Sequence, residues 1–330
     1  MEDFSSQLPE DLRETWKQFT SFDPSQWTKP NAKATIAEFK DHRLQPTFPA
    51  EGIEYAYDNW TPNSGDVIVA SFPRTGTNWT TEIVRQILYG RDEETLKKLA
   101  SVPVPLMFYE AGGPSKFKLL EHLPFPRRFM ATHLPSTLIN VENIKKANAK
   151  VICVIRNPKD QAVSWFHFVS KLPYMQLEPV KEIIDCEWPK FLENYTSGKI
   201  PLGMRSGEWY LEHLKGWYEQ KDDKNVMFVC FEDMKKDLPK EVQRLATYLG
   251  VELSEEEVMS ICEKCGFKGM KKATDDAGSK MEKIRSDLGV LRRGEVGGWK
   301  DMFTVSQSEF IDAQVAEKLA GTDIQFTYTI

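Results

Sequence analysis

Three stretches of the chain are apolar without polar alternation: Val67–Ala70, Ala149–Ile155 and Val226–Phe231. Unbroken runs of this length fit strands of a parallel sheet, buried on both faces. Phe129–Thr132 is a shorter run of the same kind. Between the runs the pattern changes period. After Val67–Ala70, Pro73 and Gly76 punctuate a tight turn. From Trp79 onward, Ile83, Val84, Ile87 and Leu88 recur at helical spacing. Gln161–Val169, Trp188–Tyr195 and Trp209–Tyr218 read as further helices, and Leu238–Leu249 reads as scaffold. Strands alternating with helices predict an α/β fold: one three-layer α/β/α domain around a central parallel sheet.

The remaining segments fill in the domain plan. Leu8–Phe19 can form a first helix, and Pro24 and Pro30 then break the pattern. Residues 1–45 are therefore expected as a peripheral N-terminal segment and 46–330 as the main domain. Glu51–Pro62, with Tyr55, Tyr57 and Trp60 interleaved, reads as a loop. Val102–Gly113 mixes prolines with Leu106, Met107, Phe108 and Tyr109, a composition that suits either an apolar lid or core packing. Ala273–Ser286 is polar and reads as a mobile stretch.

Composition narrows the function classes. The chain has 330 residues, 41% hydrophobic and 28% charged, enough to bury a full core. A net charge of −6 argues against nucleic acid or a membrane surface as partner. No apolar stretch approaches the roughly 18 residues that a bilayer span requires. The first residues, MEDFSSQLPEDLRETW, are acidic and lack an apolar core, so the expected location is the cytoplasm. Five cysteines make no disulfide framework. Cys262 and Cys265 have C-x-x-C spacing, but no second pair lies nearby to complete a zinc site, so no metal is expected.

The candidate chemistry sits where the apolar runs end. A strand, a glycine-containing turn and a helix start make an anion cradle, because free helix amides and the positive dipole end face the bound group. Arg74 adds a formal charge inside that turn. The loop is P-loop-like, yet it is not a nucleotide-triphosphate P-loop: Gly76 is its only glycine and no Lys-Ser/Thr pair follows. That absence also argues against a nucleoside-phosphate kinase. His133 and Arg156 each follow a strand-like run, at the sheet edge where ligands bind in open α/β folds. Arg292 and Arg293 precede Gly294, a grouping suited to a phosphate dianion.

These blocks together resemble the cytosolic sulfotransferases, which transfer a sulfuryl group from 3′-phosphoadenosine 5′-phosphosulfate (PAPS). Pro73–Trp79 resembles their 5′-phosphosulfate loop, Thr132-His133-Leu134-Pro135 their T-H-L-P motif, and Arg156–Ser164 their R-N-x-K-D-x-x-V-S block. Cys265–Lys271 is similar to T-S-F-x-x-M-K, Arg292–Lys300 to R-K-G-x-x-G-D-W-K, and Lys300–Glu309 fits the dimerisation segment K-x-x-x-T-V-x-x-x-E. The blocks occur in the family order.

The resemblance implies roles for these residues. His133 would be the general base and Arg74 the catalytic cation. Arg74, Thr75, Gly76, Thr77, Asn78 and Trp79 would hold the phosphosulfate end. Arg156, Ser164, Arg292, Arg293 and Gly294 would hold the 3′-phosphate, and Cys265 and Phe267 the adenine. Phe72, Phe108, His133 and Phe168 are assigned to the acceptor. PAPS is the implied co-substrate and PAP the product. The implied partners are a small-molecule acceptor and a second copy of the chain through Lys300–Glu309. Three departures from the family pattern stand in the sequence: Arg74 replaces the usual Lys, Ala131 replaces a Lys two residues before the His, and Ile200–Trp209 lacks the Tyr that meets the adenine. They keep open a second class, a binding protein derived from such an enzyme.

Overall fold

A computed structural model describes residues 6, 8–21, 35–46, 48–100, 102–276 and 293–330. A two-stranded antiparallel ribbon comes first, β1 (Glu38–Phe39) and β2 (His42–Arg43). The central sheet follows with β3 (Val67–Ser71), β4 (Phe129–Thr132), β5 (Lys150–Ile155) and β6 (Val226–Cys230). Its order is β4-β3-β5-β6 and every pairing is parallel. All five residues of β3 are buried. Because successive side chains point to opposite faces, helices must cover both. The four apolar runs of the sequence are the four strands, to within a residue at each end.

Strand order fixes where a ligand can enter. The chain leaves β3 toward β4 on one side, then returns past β3 to β5 and continues to β6 on the other. β3 and β5 therefore flank a topological switch point, and their carboxyl ends open a crevice. The loop Phe72–Gly76 and Arg156 lie at those two ends, and His133 lies at the end of β4 next door.

Packing corrects several sequence expectations. Ala50–Asn59 is a helix, not the expected loop: Gly52, Ile53 and Ala56 turn inward, Tyr55 packs against the core and Trp60, just past the helix, is buried in it. A Cβ on Gly52 would come 2.1 Å from the Gly112 carbonyl oxygen, so close backbone approach explains that glycine. The first helix, Glu10–Thr20, packs Leu12 and Trp16, with Leu8, onto the main core. In Val102–Gly113 the core alternative prevails, since Leu106 and Tyr109 are buried. Phe267–Asp276 is helical, so the stretch read as mobile begins on a helix, and its remainder lies outside the described residues. Cys262 and Cys265 are free thiols on the last turn of Glu255–Cys265.

Candidate active site

Glycine and hydrogen bonds shape the loop after β3. Gly76 has φ +127°, and a Cβ there would lie 3.2 Å from Phe231 and 3.3 Å from Val154. Arg74, a non-glycine, is also left-handed at φ +70°, a conformation that persists only where surroundings enforce it. They do so here. The Thr75 amide and hydroxyl both donate to the Phe72 carbonyl, at 3.2 and 2.8 Å. Gln161 Nε2 donates to the Pro73 carbonyl at 2.8 Å, and Arg156 Nη1 to the Arg74 carbonyl at 3.1 Å. The helix Thr77–Tyr89 starts with Gly76 as N-cap, so no side chain caps its first amides. Such a helix start is a ready anion site.

Side chains from distant segments close around this loop. Arg74 Nε donates to Ser164 Oγ at 3.1 Å, and its guanidinium lies 4.2 Å from the Phe168 ring centre. Arg156 Nη2 donates to the Glu295 carbonyl at 3.1 Å, with its guanidinium 4.2 Å from the Phe231 ring. The Tyr210 hydroxyl accepts from the Arg156 amide at 2.9 Å and donates to the Arg156 carbonyl at 2.7 Å, which fixes that strand end. Asp160 accepts from the amides of Gly297 (2.8 Å) and Trp299 (2.9 Å), docking the C-terminal segment onto the helix Pro158–Val169. That docking brings Gly294 onto Phe267: φ at Gly294 is +64°, and a Cβ would sit 2.8 Å from the Phe267 ring. Trp79 donates its indole N–H to the Cys265 carbonyl at 2.8 Å and meets Phe231 edge-on at 5.3 Å.

Arg74, Ser164 and Arg156 thus meet at the loop, Trp79 in the helix that follows it reaches Cys265, and Gly294 meets Phe267. Arg293 is turned outward into an ion pair with Asp301 at 2.9 Å. Arg292 lies outside the described residues. Burial pushes the Cys265 thiol pKa up, so it stays neutral.

His133 is held from two sides. Its ring Nδ1 lies 2.8 Å from the Ser71 carbonyl, which can only accept, so Nδ1 carries the hydrogen and the neutral ring keeps its lone pair on Nε2. Its backbone N–H donates to Glu110 Oε1 at 2.9 Å. Phe108 lies beside it, with ring centres 5.3 Å apart. A narrow cleft runs past His133 between Leu44, Phe48, Ile53, Leu134 and Leu202, with Gln45 and Glu110 as its other polar members. Leu202, in the segment aligned with the family's adenine contact, therefore belongs to this cleft. Phe72 departs from its assignment: it is 1% exposed, packed against Tyr210 at 5.3 Å and His213 at 5.1 Å. Burial, with His133 nearby, drives the His213 pKa down to about 3, which keeps this neighbour uncharged. Sequence reasoning missed Glu110, Gln161 and the docking role of Asp160. No periodic pattern marks any of them.

Comparison with known proteins identifies the family and fold. Residues 64–323 match the family model described as "Sulfotransferase domain". The chain is 31% identical over 306 residues to the rabbit (Oryctolagus cuniculus) amine sulfotransferase, covering 91% of this chain and 96% of the relative. It is 33% identical over 269 residues to dog (Canis lupus familiaris) sulfotransferase 1B1, covering 79% and 86%. Among solved structures, mouse sulfotransferase SULT7A1 complexed with PAP superposes with a TM-score of 0.68 at 26% identity, covering 87% of this chain and 96% of that one. A retinol dehydratase complexed with androsterone and PAP has the same fold, with a TM-score of 0.69 at 24% identity, covering 89% and 92%.

Proposed function

The chain belongs to the sulfotransferase family, and from that premise we propose that it moves the sulfuryl group of PAPS to a hydroxyl or amine of a small, partly hydrophobic acceptor. One observation carries the reading. An uncapped helix start, two arginines that share a loop, and a histidine with its lone pair directed by a carbonyl all meet at one sheet edge.

In this reading the amides of Thr75–Asn78, with Arg74 and Trp79, hold the phosphosulfate end. Arg156 and Ser164 hold the 3′-phosphate together with Gly294 and Arg292, and Arg293 joins them on leaving its ion pair with Asp301. Phe267 packs on the adenine, with Cys265 beside it. The glycine at 294 fits that group, because a side chain there would displace Phe267. PAPS supplies the activated sulfuryl group, and PAP leaves as product. His133 Nε2 accepts the acceptor proton as the acceptor oxygen or nitrogen bonds to sulfur and the sulfur–phosphate oxygen bond breaks. General-base help of this kind is worth roughly 10²–10⁴-fold. Arg74 and the loop amides stabilise charge developing on the leaving phosphate oxygen. Transfer is direct and needs no covalent enzyme intermediate. These fixed cationic donors meet the group's charge, so the reading calls on no metal.

The apolar walls of the cleft beside His133 support a partly hydrophobic acceptor. Similarity to an amine sulfotransferase supports amines alongside hydroxyls. No described helix is long and apolar enough to cross a membrane. The cytoplasm remains the proposed location. The test is label transfer from radiolabelled PAPS to a panel of phenols, alcohols and amines.

Lys300–Glu309 is proposed to pair with its own copy across a two-fold axis. It spans a short 3-10 turn and the start of the helix Val305–Lys318, where Val305 is 76% exposed and Phe310 46% exposed. An isologous contact would bury both. Val305→Glu would then place unpaired charge in that contact and should yield monomers in analytical ultracentrifugation. A wild-type chain that sediments as a monomer would remove the dimer.

A further inference from the structure

We propose that Glu110 is a positioning residue for His133, setting the direction of its imidazole through the backbone at the end of β4. The inference rests on the reading of His133 as the general base.

Glu110 is 2% exposed and lies on the wall of the same cleft as His133. Its two oxygens reach two consecutive residues: Oε1 accepts from the His133 N–H at 2.9 Å, and Oε2 from the Thr132 hydroxyl at 2.9 Å. The same hydroxyl accepts from the Leu134 N–H at 3.1 Å. One carboxylate therefore closes the polar groups of three residues at the strand end. The segment that carries it is itself fixed. The Tyr109 N–H donates to the Ala131 carbonyl at 2.9 Å, and the fully buried Lys116 ammonium donates to the carbonyls of Tyr109 (2.7 Å) and Phe108. Burial draws the Lys116 pKa down to about 7, and the nearby Glu110 carboxylate acts against that shift.

Geometry explains why this bears on chemistry. Among the described residues the His133 ring makes one hydrogen bond, to the Ser71 carbonyl on β3, and packs beside Phe108. That hydrogen bond defines the ring's direction only if the His133 backbone is fixed on β4 independently. Glu110 provides the independent point, so the two anchors hold Nε2 toward the cleft in a single tautomer. Without the carboxylate, His133 N–H and Thr132 Oγ lose their acceptor, and the strand end is free to shift. A shift of about 1 Å at a reacting group can cost on the order of a hundredfold in rate.

The test compares Glu110→Ala and Glu110→Gln in the full chain, with His133→Ala alongside. The amide of Gln can accept from His133 N–H through its oxygen and donate to Thr132 Oγ through its nitrogen. Ring ¹⁵N NMR, with the His133 signals assigned by their loss in His133→Ala, should show the Nδ1–H tautomer in the wild type and in Glu110→Gln. In Glu110→Ala it should show a tautomer mixture. The turnover of Glu110→Ala should fall about tenfold to a hundredfold with PAP affinity by calorimetry unchanged, and Glu110→Gln should restore it to within about threefold. Should Glu110→Ala fail to fold, Glu110→Asp decides. Its shorter arm cannot reach both donors, so it should mix tautomers and lose turnover in the same way. Wild-type tautomer and turnover in Ala or Asp, or a Gln variant as slow as Ala, would overturn the proposal. Wild-type turnover in His133→Ala would instead overturn the general-base reading, and the NMR comparison would still judge Glu110.

Discussion

Replacing His133 with alanine is expected to cut turnover about 10²-fold or more while leaving affinity for PAP nearly intact. The split follows from the geometry. Ser71 accepts the Nδ1 hydrogen, so in the proposed reading Nε2 is the basic atom and meets an acceptor proton only during transfer. The loop proposed to receive the phosphates is stapled by Thr75, Gln161 and Arg156 rather than by His133. A group acting only in the transition state lowers kcat and kcat/KM together and leaves ground-state binding alone. The loss should shrink with an acidic phenol, which is already ionised and needs no base. Steady-state kinetics with one alcohol and one such phenol, paired with calorimetry, reads all three quantities. Equal turnover with the alcohol in variant and wild type would remove His133 from the chemistry.

Arg156→Ala is expected to weaken binding of adenosine 3′,5′-bisphosphate by about 1.5–3 kcal/mol, roughly tenfold to a hundredfold in Kd. The guanidinium bridges two segments far apart in sequence, donating to Arg74 O in the loop, 82 residues before it, and to Glu295 O in the C-terminal segment, 139 residues after it. Alanine removes the charge that would meet the phosphate and both staples. Lys should not rescue fully, since an ammonium lacks the planar fork that spans two carbonyls. An Arg156→Ala chain with wild-type affinity in calorimetry would take Arg156 out of the site.

The sheet was legible because its strands are buried on both faces and must be written as unbroken apolar runs. Val67–Ala70 and Val226–Phe231 could hardly be anything else in a chain that also carries helical periods. The place of Arg156 at a strand end was legible because it follows such a run, whereas its role with Ser164 came from resemblance to a family block and is a proposal. The helix Ala50–Asn59 was hidden because a distant glycine decides it: Gly52 seats against Gly112, which no local pattern announces. Phe72 borders the phosphate loop in sequence, yet one rotation of the chain sends its ring into the core beside Tyr210 and His213. Glu110 lies in a proline-rich segment and meets His133 from 23 residues away, a contact that only the sheet topology creates. Asp160 was visible as part of a motif, but its grip on the amides of Gly297 and Trp299 depends on how the C-terminal segment docks.

Arg74 and Ala131 are departures from the pattern that the sequence otherwise resembles, so the central question is whether this site transfers or only binds. Purified chain incubated with PAPS labelled in its sulfuryl group, across a panel of phenols, alcohols and amines, answers it directly. The account predicts label on at least one acceptor, PAP released in equal amount, and loss of both in His133→Ala. Tight binding of PAP with no label transferred to any acceptor would contradict it and leave a binding protein in its place.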